Sequence, residues 1–430
     1  MGSRAYRSTG VNEVNWEQVA RGKEGLGVTW GVDVGKFDVL VVCRWADGHF
    51  ERPWRVKNPR EISTLAALAQ RVQGERKLVV AMESSGTYGD ALRQALTDHG
   101  IEIQRVSGKA AHDYAEVFDG VPSQHDGKDA AVVAELAALG KGKPWPSVAA
   151  DSWEEELAYW VEEMVTQRQI VALWQGRLEG LVARHWPEAL QVLKLSSGTL
   201  LRLLKHYGSP QALAGDAEAA NQLARWGGPL LAARKIEELL AGARSSVGVR
   251  VGPWHQRPIQ EYAEKALAAR RQSNQAQRRL RELAVGHPVL EAQGKAVGVP
   301  TACVFWVCTG DPRKFDSAAA YRKAMGLNLV ERSSGTYQGQ LHISKRGHAR
   351  TRQWLYFAAL RLVQTREVRP WYEAKKAGHE GEARRFVVAV MRKLAVALYH
   401  VGVRNEEFQP RRLFGSIGKR RGRGAASVVG

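Results

Sequence analysis

An α/β domain followed by a long helical hairpin and a mainly helical C-terminal region is the architecture expected of this 430-residue chain. Three features point to it. Between Val28 and Ala138, short runs rich in β-branched residues alternate with amphipathic segments. Residues 152–184 and 256–285 then keep a helical pattern for far longer than an ordinary helix. Beyond residue 286, apolar helical segments are separated by Gly- and Ser-rich loops. With 44% hydrophobic residues the chain has ample material for buried cores, and its length suits two or three domains.

Residues 1–24 are polar and weakly patterned, which predicts a flexible arm. VTWGVDV reads as a first strand and FDVLVVCRWA as a second, with Asp47-Gly48 turning into a third, HFERPWRVKN. Residues 61–73 carry helical spacing. KLVVAMES is a strand apolar enough for a sheet centre. TYGDALRQALTDHG is a helix stopped by Gly100, IEIQRVS another strand, and DGKDAAVVAELAAL a further helix. Three meandering strands followed by alternating helix and strand is the order of an RNase H-like domain, assigned to 25–147 and closed by the linker KGKPWPS. A helical or coiled-coil domain follows at 148–285, its two long helices carrying a small helical insert over 195–245. Leu157, Val161, Met164, Val171, Leu178 and Val182 lie near one stripe of the first helix, but Arg168 and Gln175 interrupt it, so any coiled-coil register is imperfect. Such a hairpin serves either self-association or an internal bundle. A third domain, 286–408, opens with GKAVGVPTACVFWVCTG, a Gly-hydrophobic-Gly turn of helix-hairpin-helix type, in which backbone amides meet a phosphate. A helix with basic and apolar faces is expected at 349–366. The tail, 409–430, has six basic and no acidic residues between 411 and 423 and is expected to order only on a polyanion.

A net charge of +19 and a pI near 10.0 give the chain a sequence-independent attraction for phosphate backbones. The basic residues lie within patterned segments as well as in the tail, which favours nucleic acid over an anionic membrane. Cys43, Cys303 and Cys308 have no metal-finger spacing and read as buried reduced thiols. The N-terminus is polar, and the longest apolar run is short and punctuated by glycine, so a soluble cytoplasmic protein without a membrane span is expected.

Four carboxylates carry the strongest chemical signal. Asp33 lies inside an apolar strand, where an unpaired carboxylate is costly. Glu83 ends another strand, and in a parallel pair those two ends lie side by side. Asp126 and Asp129, three apart at a helix start, share one helix face. Converging carboxylates repel and resist ionisation; Mg²⁺, or Mn²⁺, would remove that penalty and also bind phosphate oxygens. Taken separately, Asp126 and Asp129 are equally an N-cap and a first-turn acid, and Glu83 a solvated strand end. DVGK after a strand also resembles the first phosphate loop of actin-like kinases, but Lys36 and Phe37 stand where those families want Thr or Ser, and no second phosphate loop follows. Far downstream, Ser334 sits in ERSSGTYQGQLHISKRGHAR, where Gly335 and Gly339 allow close approach to phosphate. Lys345, Arg346 and Arg350 can hold phosphates there. The loop composition alone fits a phosphate-holding loop as well as a nucleophile.

The combination D…E…DxxD, a helical middle, then GVPTA…GDPRKF…SSG…G…ISKRG resembles the DEDD transposases of the IS110 family over roughly residues 28–370. The resemblance implies a RuvC-like domain whose Asp33, Glu83, Asp126 and Asp129 bind Mg²⁺, and a C-terminal transposase domain whose serine, here Ser334 with Ser333 as its neighbour, attacks DNA and becomes linked to it. It further implies donor and target DNA as substrates, a structured non-coding guide RNA (a bridge RNA), and a dimer or tetramer in which one subunit's metal site is completed by another's serine. A nucleoid-associated prokaryotic enzyme follows. A metal-dependent, Holliday-junction-type endonuclease that uses water as nucleophile is the alternative. The chain exceeds the compact form of the family in its N-terminal arm, helical middle and basic tail.

Overall fold

The computed structural model describes residues 8–83, 86–119, 126–149, 151–330, 342–344, 346–377 and 383–414, the side chains of Asp119, Asp126 and Ala383 excepted. The chain divides into two compact units, residues 1–149 and 150–430.

The first unit holds a seven-stranded sheet: β1 (Thr9–Gly10), β2 (Val28–Val34), β3 (Asp38–Trp45), β4 (Trp54–Lys57), β5 (Leu78–Glu83), β6 (Glu102–Val106) and β7 (Lys143–Pro144), in the order β1-β4-β3-β2-β5-β6-β7. β2, β3 and β4 form an antiparallel meander, whereas β5 runs parallel to β2, with Val32 opposite Met82, and β6 runs parallel to β5. The residue pattern explains the positions. β3 is apolar on both faces and lies inside, while β4 alternates buried Trp54 and Val56 with exposed Arg55 and Lys57 near the edge. One face packs Trp30, Val32, Val41, Val80 and Met82 against α2 (Ile62–Glu75) and α3 (Asp90–Asp98), through residues such as Leu65, Val72, Leu92 and Leu96. The other face is covered by α4 (Gly108–Asp119) and α5 (Asp126–Ala138), which meet Val42, Ala81 and Val106.

Part of the arm expected to be flexible, and the linker that closes the domain, both pack on the sheet. The described part of the arm, residues 8–24, places β1 beside β4 and buries Val11 and Trp16. Trp16 in the short helix α1 (Trp16–Ala20) stacks on Trp45 at 5.7 Å and donates its indole N–H to Glu75 at 2.8 Å, while the Arg76 guanidinium covers both rings. An aromatic anchor of this size outweighs the entropy of ordering a short polar segment. The linker at 141–147 likewise docks: Lys143–Pro144 pair with β6, and Arg93 lies over the Trp145 ring at 4.5 Å. The helix α4, in a segment to which the sequence pattern assigned no element, is a further addition.

In the second unit α6 (Trp153–His185) packs along α12 (Pro253–Leu283). Ala263, Ala266, Ala269, Ser273 and Ala276 form a small-residue stripe on α12 that lets the backbones approach closely, against Leu157, Val161, Leu178 and Val182 of α6. Between them lies an insert of α7 (Pro187–Val192), α8 (Gly198–Tyr207), α9 (Pro210–Ala214), α10 (Ala219–Gly227) and α11 (Ala233–Arg244), with its own core around Trp186, Leu200, Leu204 and Leu239. The C-terminal part comprises α13 (Pro288–Val297), α14 (Val299–Thr309), α15 (Ala318–Ala324), the two-residue ladder of β8 (Leu329–Val330) with β9 (His342–Ile343), α16 (Ala349–Leu362), α17 (Arg369–Lys376), α18 (Ala383–Arg404) and α19 (Pro410–Phe414). By length and composition α18 would suffice to cross a bilayer, but Val390, Met391, Leu394, Ala395 and Leu398 are buried in the core of this unit. Of the basic tail, the described residues 409–414 include α19, and Phe414 is buried.

Candidate active site

Strand parity decides where the carboxylates point. On β2, Trp30 and Val32 face α2 and α3, so Gly31 and Asp33 occupy the opposite face. A Cβ on Gly31 would lie 2.0 Å from the Ala130 carbonyl oxygen and 2.5 Å from the Ala134 nitrogen, so the backbone of α5 rides directly on β2 there. The direction of α5 is set by Glu135, which takes an ion pair from Arg44, the ladder partner of Thr29. The C-terminal half of α5 therefore lies toward Thr29, and its start, with Asp126 and Asp129, lies toward Asp33.

Glu83 comes to the same face by the same rule. It shares parity with Ala81, which packs under α4 and α5, and it follows Met82, the partner of Val32. Its strand neighbour is Val106, after which the chain turns into α4 at Gly108. A Cβ on Gly108 would fall 2.2 Å from Glu83 Oε1, so any larger residue would push the Glu83 carboxylate out of its present position. Burial pushes the Glu83 carboxyl above its ordinary value, and the negative charge of Asp129 pushes it in the same direction. The structure therefore brings Asp129 and Glu83 within electrostatic range and sets Asp33 on the same face. The Asp126 backbone is placed on the first turn of α5, while its side chain lies outside the described residues.

Among the described residues no three His, Cys, Asp or Glu side chains gather closely enough to hold a metal ion. The donor chemistry nonetheless fits a hard cation. Asp33 and Glu83 on this sheet face and Asp129 on the helix that covers it are all oxygen donors, and burial, then the charge of Asp129, raises the Glu83 carboxyl above its ordinary value. Lys128, between the two acids of DGKD, is only 1% exposed and has interaction partners. It was not anticipated, because a lysine in a first helical turn ordinarily faces water; its only signal was the pattern of a cation enclosed by acids. At the DVGK turn the Gly35 amide donates to the Asp38 carbonyl at 2.9 Å, so this glycine closes a hairpin.

In the second unit Ser334, its neighbour Ser333, and Lys345 lie outside the described residues. The flanks are described. Val330 pairs with His342, and the Ser344 amide donates to the Asn328 carbonyl at 2.8 Å. Gly347 of ISKRG has a φ of +87° and a Cβ there would lie 2.9 Å from the Cα of Gly326, itself at φ +82°, so both positions require glycine. Arg352 Nη1 donates to the carbonyls of Arg346 and Gly347 at 3.1 and 3.0 Å, holding this turn. Arg350, expected at phosphate, makes a two-point ion pair with Glu162 of α6 at 2.5 and 3.1 Å. Of the expected Gly-hydrophobic-Gly turn only one glycine stands at the junction: Gly298, at φ +86°, joins α13 to α14 between Val297 and Val299.

Two family models match the chain in order along its length. Residues 30–186 match the DEDD_Tnp_IS110 transposase model, which takes in all four acids. Residues 292–374 match the model described as the transposase IS116/IS110/IS902 family, which takes in the Gly298 turn and the serine segment. The chain belongs to the IS110 family of transposases. As an IS110-family transposase it is an enzyme acting on DNA, of a DEDD class that typically works with a divalent metal. It is also similar to the insertion element IS110 uncharacterized 43.6 kDa protein of Streptomyces coelicolor, 24% identical over 368 residues, covering 82% of this chain and 89% of that protein. Residues 187–291 of this transposase, which include the insert and α12, fall between the two family matches.

Proposed function

We propose that this IS110-family transposase cuts and rejoins DNA through a serine nucleophile assisted by a carboxylate-held Mg²⁺, directed to its sites by a structured non-coding guide RNA. The observation that supports this most is that Asp33 and Glu83 lie on the sheet face that α5 covers, with Asp129 of α5 near enough that burial and then its charge raise the Glu83 carboxyl above its ordinary value. The meander β4-β3-β2 continued by parallel β5 and β6 supports an RNase H-like, RuvC-like reading of this unit. In that reading Asp33, Glu83, Asp126 and Asp129 hold Mg²⁺, for which Mn²⁺ can substitute, and the ion when bound stabilises charge on the phosphate oxygens.

The chain's own residues do the rest. Ser334 Oγ forms a bond to the scissile phosphorus as the bond to the leaving deoxyribose oxygen breaks, and the serine proton passes to that oxygen. A hydroxyl from the incoming strand reverses the step, releasing the serine. Lys345, Arg346 and Arg350 hold flanking phosphates, Arg350 by exchanging Glu162 for phosphate. Residues 25–147 supply the acids, 148–285 the helical link, 286–408 the serine, and 409–430 a basic tail. Donor and target DNA, the RNA, and a dimer or tetramer that joins the acids of one subunit to the serine of another complete this reading, in a nucleoid-associated prokaryotic enzyme without a membrane anchor.

The test is to incubate the protein with DNA carrying the ends of its element, with its co-purified RNA and Mg²⁺, and look for a protein–DNA adduct that survives denaturation. The adduct is expected with the wild type and lost in Ser334→Ala. Unchanged cleavage by Ser334→Ala would replace the serine by water and favour the endonuclease.

A further inference from the structure

The helical insert carries a cleft of about 690 Å³ between α8, α10, α11 and α12 that neither family match includes. Arg202, Lys205, Lys235, Arg270 and Arg271 line it, and no acidic residue does. Lys205 is neutralised by Glu264 at 2.7 Å. The others make no ion pair among the described residues. Arg202 and Arg270 are held in place by donating to the backbone carbonyls of Trp226 and Ser196, both at 2.8 Å, which positions their charge without cancelling it. Four cations facing one concavity repel one another, a cost that a bound polyanion removes. Trp226 also lines the cleft, its ring fixed edge-on against His206 at 5.4 Å.

We infer that this cleft binds the backbone of a single-stranded polynucleotide, with Trp226 as a stacking surface. Proteins read duplex DNA by entering its grooves with protruding elements, whereas a positive groove with an aromatic wall is the arrangement that tracks a single strand. The inference needs only that the partner be a polynucleotide, and it stands apart from the metal and serine chemistry.

The experiment is fluorescence anisotropy with the full chain in EDTA over a salt series, using labelled oligo(U), oligo(dT) and a duplex DNA. Lys235→Gln combined with Arg271→Gln removes two cations that hold no structural hydrogen bond. It is expected to weaken single-strand binding about tenfold and to flatten the log K against log salt slope by about 1.4, while duplex binding stays as in the wild type. The charge-matched control, Arg234→Gln with Arg257→Gln, removes two arginines already paired with Glu238 and Glu261 and should change neither. Because the assay runs in EDTA, it does not depend on the metal site, so failure of the metal site and failure of the cleft give different results. Tighter binding of oligo(U) would assign the strand to RNA, and equal binding would assign it to the backbone alone; either supports the inference. Equal losses in test and control variants, unchanged single-strand binding in the test variant, or a matching loss of duplex binding would overturn it.

Discussion

On one face of the N-terminal sheet Trp30, Val32, Val80 and Met82 meet large apolar side chains of α2 and α3; on the other, the same strands present Gly31, Asp33, Ala81 and Glu83 to α4 and α5. The first face stabilises the unit by burying apolar area. The second gives up side-chain volume so that helix backbones come close enough to present carboxylates. It also accepts mutual repulsion between Glu83 and Asp129. Strand parity lets one set of residues build both, since each step along β2 or β5 changes face.

The comparison can be broken at several points. The largest effect is expected from Gly31→Val, whose Cβ would overlap the α5 backbone; a loss of about 3 kcal/mol or more in denaturant unfolding is expected, with loss of metal binding. Trp16→Ala should cost roughly 3–5 kcal/mol, since the buried ring anchors the N-terminal segment; retention of wild-type stability would mean that the arm is dispensable. Leu92→Ala, wholly on the apolar face, should cost about 2–5 kcal/mol while the folded protein keeps its Mn²⁺ affinity. Asp129→Asn should behave in the opposite sense, losing Mn²⁺ but melting slightly higher than the wild type in EDTA, because Glu83 loses a like charge. The sign follows from the shift. A carboxyl whose pKa is raised by folding contributes stability that is present at low pH and lost as pH rises through its folded pKa. Metal-free wild type should therefore lose stability on that rise more than Asp129→Asn does.

Much of this arrangement was legible beforehand, for reasons specific to the residues. β2, β3 and β5 were readable because their apolar runs are continuous, and Asp33 because it interrupts one. The helical spacing of DGKD put Asp129 on the first turns of a helix, where α5 holds it, while the side chain of Asp126 lies outside the described residues. What could not be read depended on tertiary neighbours. Gly31 and Gly108 look like ordinary glycines until the backbone of α5 and the Glu83 carboxylate are seen to need the space. Trp16 and Trp145 sit in segments without periodicity, so nothing local showed that they dock. The helix α4 begins Gly-Lys and carries His112 and Asp113 mid-segment, a pattern weaker than its burial of Ala111 and Ala115 warrants. Arg350 looked like a phosphate ligand because its partner Glu162 is 188 residues away.

The most direct test of the central reading is Mn²⁺ titration of the purified full chain by electron paramagnetic resonance, without nucleic acid. Saturable Mn²⁺ binding, displaced by Mg²⁺ and abolished by Asp33→Asn, by Glu83→Gln and by Asp129→Asn in folded protein, is expected. Mn²⁺ binding that survives all three substitutions would contradict the assignment of this sheet face as the metal centre.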